Sequence, residues 1–260
     1  MTNKHRTDLI ERHILEHKYA DLRTLATHFG GSLSTVRRVL DTLEIRGLVQ
    51  RHHGGASLIE ADALTHEYDF LTGIQRQADQ KFAIATLVAE QIQPGMTVIL
   101  DAGTTTYAVA RLLSEKRVRV ITNSLPVATL FGEIGNVETL VTGGSICGRL
   151  AVLVGPQCEQ SFDQIHADLA ILGGAGVTEN GIWNHNALII AAQRKMIASS
   201  ERTIFALDAT KFGRKALSLI APFGPRFTIV TDTRPAPEVM KAINSAGAQL
   251  TLAEGRRTRA

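Results

Sequence analysis

Leu22-Arg-Thr-Leu-Ala-Thr-His-Phe-Gly-Gly-Ser-Leu-Ser-Thr-Val-Arg-Arg-Val-Leu-Asp-Thr-Leu-Glu-Ile-Arg-Gly-Leu-Val-Gln-Arg-His-His-Gly-Gly-Ala56 decides the fold of the N-terminal part of the chain. Leu22, Leu25, Ala26 and Phe29 recur at i, i+3, i+4 and i+7, the stripe of an amphipathic helix. Asp21 stands ahead of it as an N-cap. Gly30-Gly31 breaks that helix and permits a tight turn. Ser32 or Ser34 then caps a second helix, with Leu33, Val36, Leu40 and Leu43 on its apolar face. Ser34, Thr35, Arg38, Asp41 and Thr42 lie opposite, with Arg37 on the flank. Upstream, Ile10 and Ile14 suggest a first helix packed on this pair. Downstream, Arg51-His-His-Gly-Gly55 reads as a basic β-ribbon.

An arginine pair alone fits the solvated side of any helical hairpin. A short helix, a glycine turn, an arginine-bearing helix and a basic ribbon together describe a winged helix that lays one helix in the major groove. The candidate DNA contacts are Ser32, Ser34, Thr35, Arg37, Arg38, Thr42, Arg51, His52 and His53. Hydroxyl and guanidinium groups near a helix N-terminus reach phosphates and base edges, and the helix dipole favours phosphate.

Composition bounds the rest. The 260 residues suffice for two domains, and a hydrophobic content of 44% is ample for a core. A net charge of +3 is too mild for a generic polycation, so the arginines of the ribbon region must act locally. Cys147 and Cys158 give no disulfide framework and fit a reducing compartment. The polar N-terminus and the lack of a long apolar run predict a soluble, cytoplasmic protein without a membrane segment. No residue pattern calls for a cofactor or a metal.

We assign residues 1–57 to the DNA-binding domain, 58–75 to a linker, 76–253 to a second domain and 254–260 to a basic tail. From about Arg76, strands and helices alternate. Strands are predicted over 97–101, 118–122, 137–142, 167–172, 203–207, 227–231 and 249–252, and helices over 81–92, 107–113, 127–134, 186–199 and 237–246. Such alternation predicts an α/β domain with a mainly parallel sheet covered on both faces.

Four of these strands run into polar loops: Asp101-Ala-Gly-Thr-Thr-Thr106, Thr122-Asn-Ser124, Thr142-Gly-Gly144 and Asp208-Ala-Thr-Lys211. Ligands of open α/β sheets bind beyond the carboxyl ends of the strands. Gly103 and Thr104, Thr105 and Thr106 at a helix N-terminus form a phosphate cradle. Asp101 and Asp208 can accept from sugar hydroxyls, and Lys211 supplies a cation. Thr122, Asn123, Ser124, Gly143 and Gly144 complete the candidate effector site. Any one loop alone would be ordinary turn chemistry. Together they point to a small anionic ligand, a phosphorylated sugar.

Ser34-Thr-Val-Arg-Arg38, Leu43-Glu with Gly47-Leu, Arg51-His-His-Gly-Gly-Ala56, Asp101-Ala-Gly-Thr-Thr105, Thr122-Asn-Ser124, Gly143-Gly144, Asp208-Ala-Thr-Lys-Phe-Gly213 and Thr231-Asp232 carry a further reading. In this order and spacing the chain resembles DeoR/GlpR-type bacterial transcriptional regulators over nearly its whole length. The resemblance implies a winged helix joined to a sensor domain similar to ribose-5-phosphate isomerase and CoA-transferase folds. It further implies a repressor of carbohydrate-metabolism genes that binds double-stranded operator DNA as a homodimer or homotetramer and is released by a phosphorylated sugar. By that resemblance Asp101, Gly103, Thr104, Thr105, Asn123, Asp208 and Lys211 line the effector site.

Two departures stand out. Val39 follows the arginine pair where the family usually has an acidic residue, and is expected to pack sideways. The stretch from Ile182 to Gln193 lacks the family's glutamates and lysine, which should alter ligand choice if that helix borders the pocket. Two other functions fit part of the pattern. A sugar-phosphate isomerase or acyl-transferase-like enzyme would use Asp101 or Asp208 as base and Lys211 as oxyanion partner. An architectural DNA binder would carry a degenerate sensor domain.

Overall fold

The computed structural model describes residues 3–17, 19–45, 49–52, 54–58 and 70–253. It divides into two compact units, residues 1–69 and 70–260.

In the first unit, helix α1 (Asn3–His17) leads into the short strand β1 (Tyr19–Asp21). Helices α2 (Leu22–Phe29) and α3 (Leu33–Ile45) follow, and then strands β2 (Val49–His52) and β3 (Gly55–Leu58). Asp21 caps α2 by accepting from the N–H groups of Arg23 and Thr24 at 2.8 and 3.1 Å. Gly30, with φ of 64°, ends the helix in a conformation a side chain would disfavour. Of the two serines, it is Ser32 that caps α3, accepting from Thr35 N–H at 3.2 Å. The three strands form one antiparallel sheet in the order β1-β3-β2.

Ile10, Ile14, Leu22, Leu25, Val36, Val39, Leu40, Leu43 and Val49 make the core of this unit. Two positions differ from the sequence expectation. Leu33 is 41% exposed, because the first residue of α3 projects ahead of the packed turns. Val39 is 4% exposed and packs in this core, so its departure from the family pattern is a core contact. Gly55 is required by proximity: a Cβ there would lie 2.3 Å from the Ala20 carbonyl oxygen. His53, Gly47, Leu48, residues 59–69 and the tail from residue 254 lie outside the described residues, as does the His52 side chain.

The second unit opens with helix α4 (Phe70–Gln75), inside the range read as a linker. Phe70 is buried and meets the Tyr107 ring edge-on, with centroids 5.3 Å apart. Helix α5 (Ala78–Glu90) leads to β4 (Thr97–Leu100), α6 (Thr104–Leu112), β5 (Arg119–Thr122), α7 (Leu125–Ile134) and β6 (Glu138–Val141). A hairpin of β7 (Ser145–Cys147) and β8 (Val152–Val154) follows, then α8 (Pro156–Gln160) and β9 (Ala167–Leu172). Next come β10 (Gly176–Thr178), β11 (Gly181–Asn184), α9 (Ala187–Ala198) and β12 (Ser200–Ala206). Strands β13 (Ser218–Ala221) and β14 (Phe227–Thr231), α10 (Pro237–Ser245) and β15 (Gln249–Leu252) close the fold.

Seven strands form a parallel sheet in the order β15-β14-β12-β9-β4-β5-β6. Because side chains alternate along a strand, each strand feeds two cores. Val98, Leu100, Leu169, Ile171, Ile204 and Val230 join Ile84, Val88 and Val109 on one face. Ile99, Ala170, Leu172, Phe205 and Ile229 join Ile190, Met196 and Ile243 on the other. A small antiparallel sheet, β10-β11-β13, stands apart from the main one. These short strands and the β7-β8 hairpin were not foreseen from the sequence. Segments of three or four residues interrupted by glycine carry too little periodicity to register.

Candidate functional sites at the recognition helix and the strand ends

Helix α3 buries Val36, Val39, Leu40 and Leu43 and so turns Ser34, Arg37, Arg38 and Thr42 outward, all exposed. Ser32 is exposed and Thr35 half-exposed at its N-terminus, where their hydroxyls bond to each other at 3.0 Å. The Thr42 hydroxyl donates to the Arg38 carbonyl at 2.9 Å. Arg51 is half-buried on β2 and pairs with Asp41. The helix therefore presents hydroxyls and two guanidinium groups on one solvent-facing side, a surface suited to phosphate and base-edge contacts.

In the second unit the strand order reverses at β4. Strands β5 and β6 extend on one side of it, and β9, β12, β14 and β15 on the other. The connections after β4 and β9 run to opposite sides of the sheet there, the position at which α/β sheets bind ligands. Asp101 and Gly173 end these two strands, and the Gly173 N–H donates to Asp101 Oδ2 at 3.4 Å. The same oxygen accepts from Gln193 Nε2 at 2.6 Å, and Oδ1 accepts from Ala102 N–H at 2.8 Å. Asp101 is 1% exposed. Burial pushes its pKa up to about 6, against the pull of the hydrogen bonds from Gln193, Gly173 and Ala102.

The loop after Asp101 delivers α6. Its N-cap, Gly103, supplies no side chain to the first-turn N–H groups. Thr105 and Thr106 are buried and Thr104 is half-exposed. Thr106 donates to the Gly103 carbonyl at 2.8 Å. Beyond β5, Thr122, Asn123 and Ser124 are all fully buried. Thr122 donates to the Leu100 carbonyl at 2.7 Å, and Ser124 accepts from Val127 N–H as the cap of α7. Asn123 Nδ2 donates to the Leu153 carbonyl at 3.2 Å, whereas its Oδ1 is buried without a partner. Gly143 N–H donates to Ser161, and Gly144 takes φ of 125°. Beyond β12, Asp208 accepts from Thr210 and caps a short 3-10 turn that carries the half-buried Lys211.

Three contributors escaped the sequence reading. Gly173 ends β9, between the loops of β4 and β12. Gln193 on α9 braces Asp101 and also donates to the Gly173 carbonyl at 3.2 Å; Asn184 Nδ2 donates to its Oε1 at 3.2 Å. The third is Lys81 on α5, 7% exposed, whose ammonium donates to the carbonyls of Gly73 and Arg76 at 2.5 and 2.6 Å. Burial lowers its pKa, Asp208 opposes that shift, and Lys211 and Arg76 add to it. A Gly-Gly pair after a strand was a usable signal for Gly173. Nothing local marks Gln193 or Lys81, which reach the site from helices 92 and 20 positions away from Asp101.

Burial also raises the thiols of Cys147 and Cys158, which suits packing residues better than nucleophiles. Among the described residues no helix is long and apolar enough to cross a membrane.

Comparison with known proteins bears on both units. Residues 6–62 match the family model of the DeoR-like helix-turn-helix domain, and residues 76–233 that of the DeoR C-terminal sensor domain. The chain is 31% identical over 236 residues to the glycerol-3-phosphate regulon repressor of Escherichia coli, covering 90% of this chain and 92% of that protein. It is 30% identical to the L-fucose operon activator of Haemophilus influenzae, covering 88% and 91% of the two chains. Identity is also 30% to the HTH-type transcriptional regulator GlpR of Haloferax volcanii, over 90% and 91%. Among solved structures, ribose 5-phosphate isomerase A of Methanocaldococcus jannaschii aligns with 52% of this chain and 54% of its own at 16% identity, with a TM-score of 0.39. The relatives are named as regulators of transcription, which sets aside the isomerase and transferase alternative. The chain belongs to the DeoR family and is a DNA-binding transcriptional regulator.

Proposed function

We propose that this regulator represses carbohydrate-metabolism genes and leaves its operator when a phosphorylated sugar binds at the strand ends of the second unit. The observation that carries this reading is the strand-order reversal, where a helix N-terminus without a side-chain cap lies on the same sheet edge as an orphaned acceptor, Asn123 Oδ1. A buried acceptor without a donor costs free energy that a ligand hydroxyl would offset. The first-turn N–H groups of Thr104, Thr105 and Thr106 suit a phosphate. Lys211 and the buried Lys81 supply positive charge, and an incoming dianion would favour the charged form of Lys81, whose pKa burial lowers. Asp208 and Gly143-Gly144 border the same edge.

In this account Ser32, Ser34, Thr35, Arg37, Arg38 and Thr42 meet the operator, with the ribbon beside them. The ligand acts by binding better to a state of lower operator affinity, and linkage requires operator DNA to weaken ligand binding by the same factor. The glycerol-3-phosphate and L-fucose regulators named above show that relatives of this chain include both a repressor and an activator. Repression is favoured here by the glycerol-3-phosphate relative, whose name joins that action to a phosphorylated compound.

A thermal-shift screen of phosphorylated sugars and their unphosphorylated parents tests the ligand class. A ligand at ~100 times its Kd stabilises the form it binds by ~2.7 kcal/mol. A rise with one phosphorylated sugar and none with its parent is expected. Equal rises with parent and phosphate would contradict a phosphate cradle.

A further inference from the structure

We propose that Arg51 is a positioning residue: held by Asp41 and Glu44 of α3, it sets the wing against the recognition helix and does not itself grip a DNA phosphate. Strand β2 is an edge of its sheet, since β3 pairs with only one of its sides. Arg51 stands in the middle of that strand, opposite Ala56. Its backbone N–H donates to Glu44 Oε1 at 3.0 Å, and its guanidinium pairs with Asp41. Asp41 and Glu44 lie three residues apart on α3 and so share one side of it. One residue of the wing is thus fastened twice, through main chain and side chain, to the helix that carries Arg37 and Arg38.

Charge makes the same case. A guanidinium already neutralised by a carboxylate adds little to the attraction for DNA, and releasing it would leave Asp41 exposed to the phosphates. Two carboxylates on a DNA-reading helix are an electrostatic liability unless they hold something in place. Arg37 and Arg38, by contrast, are exposed on α3. The isolated ion pair contributes little to stability at a surface, so its value lies in geometry: a wing held at fixed height beside the groove.

The experiment uses the full chain, a duplex selected by the wild-type protein from a random pool, and a random-sequence duplex, with affinities read by fluorescence anisotropy across a salt series. Asp41→Asn and Glu44→Ala are expected to weaken the selected duplex by about tenfold although each removes a negative charge, while the random duplex changes by less than about twofold. Glu44→Gln keeps the acceptor and should stay near wild type. Arg51→Ala should match Asp41→Asn, the double variant should lose no more than either, and the salt slope should not change. The charge swap Asp41→Arg with Arg51→Asp should recover most of the selected-duplex affinity, and it decides the matter alone if a single variant folds poorly. Tighter binding of Asp41→Asn to both duplexes, a salt slope reduced by about 1 in Arg51→Ala, or no recovery in the swap would overturn the proposal.

Discussion

Asp101 places a carboxyl where water does not reach, and its neighbours there are a glutamine amide and two backbone N–H groups rather than a cation. Its folded pKa of about 6 stands above the ordinary carboxylate value of 3.8, so the folded chain holds a proton that the unfolded chain has released. The associated stability is fully present below the unfolded value and is lost as pH rises through the folded one. Relative to Asp101→Asn, wild type should therefore lose roughly 3 kcal/mol of stability between about pH 4 and pH 6, with no further change above that. Denaturant titrations followed by Trp183, the only tryptophan, would measure it. A pH-independent difference would contradict this account of the buried carboxyl. The sequence showed Asp101 as a polar residue at a strand end. It could not show that Gly173 and Gln193 occupy its oxygens, because those partners lie 72 and 92 positions away.

Helix α3 was legible because its caps, period and glycine turn are all local. Ser32→Ala should destabilise the first unit by ~1 kcal/mol through loss of the bond to Thr35 N–H, read by thermal melting; an unchanged melt would mean the cap is replaced by water or by Ser34. Arg38→Ala should cost ~1–3 kcal/mol on the selected duplex if it reads a base, with little change on random DNA. Equal losses on both duplexes would make it a phosphate contact. Among the larger elements, the central strands were legible as apolar runs ending in polar loops. Strands β10, β11 and β13 were not, since three or four residues punctuated by Gly176 and Gly181 do not reveal a pairing made at long range. Leu33 and Val39 show the limit of face assignment: the apolar stripe alone shows neither that the first residue of α3 stays exposed nor that the core takes in a residue on the flank of the stripe.

At the scale of the molecule, the order of motifs was enough to join a DNA reader to an α/β sensor domain, because each unit has its own local grammar. The effector's identity was not, because pocket shape depends on helices whose residues are distant in sequence. Here α9 brings the neutral Gln193 to Asp101 and the apolar Ile189 to Val152 and Val154. Those contacts supply no cation beside Asp101, so in the proposed site Lys81, Lys211 and the α6 N-terminus would attract the anion. The direct test is operator affinity of the full chain measured with and without each phosphorylated sugar and its parent. The account predicts that one phosphorylated sugar weakens the selected duplex by at least about tenfold, that its parent does not, and that the duplex weakens binding of that sugar by the same factor. A sugar phosphate that binds the protein but leaves operator affinity unchanged would contradict it.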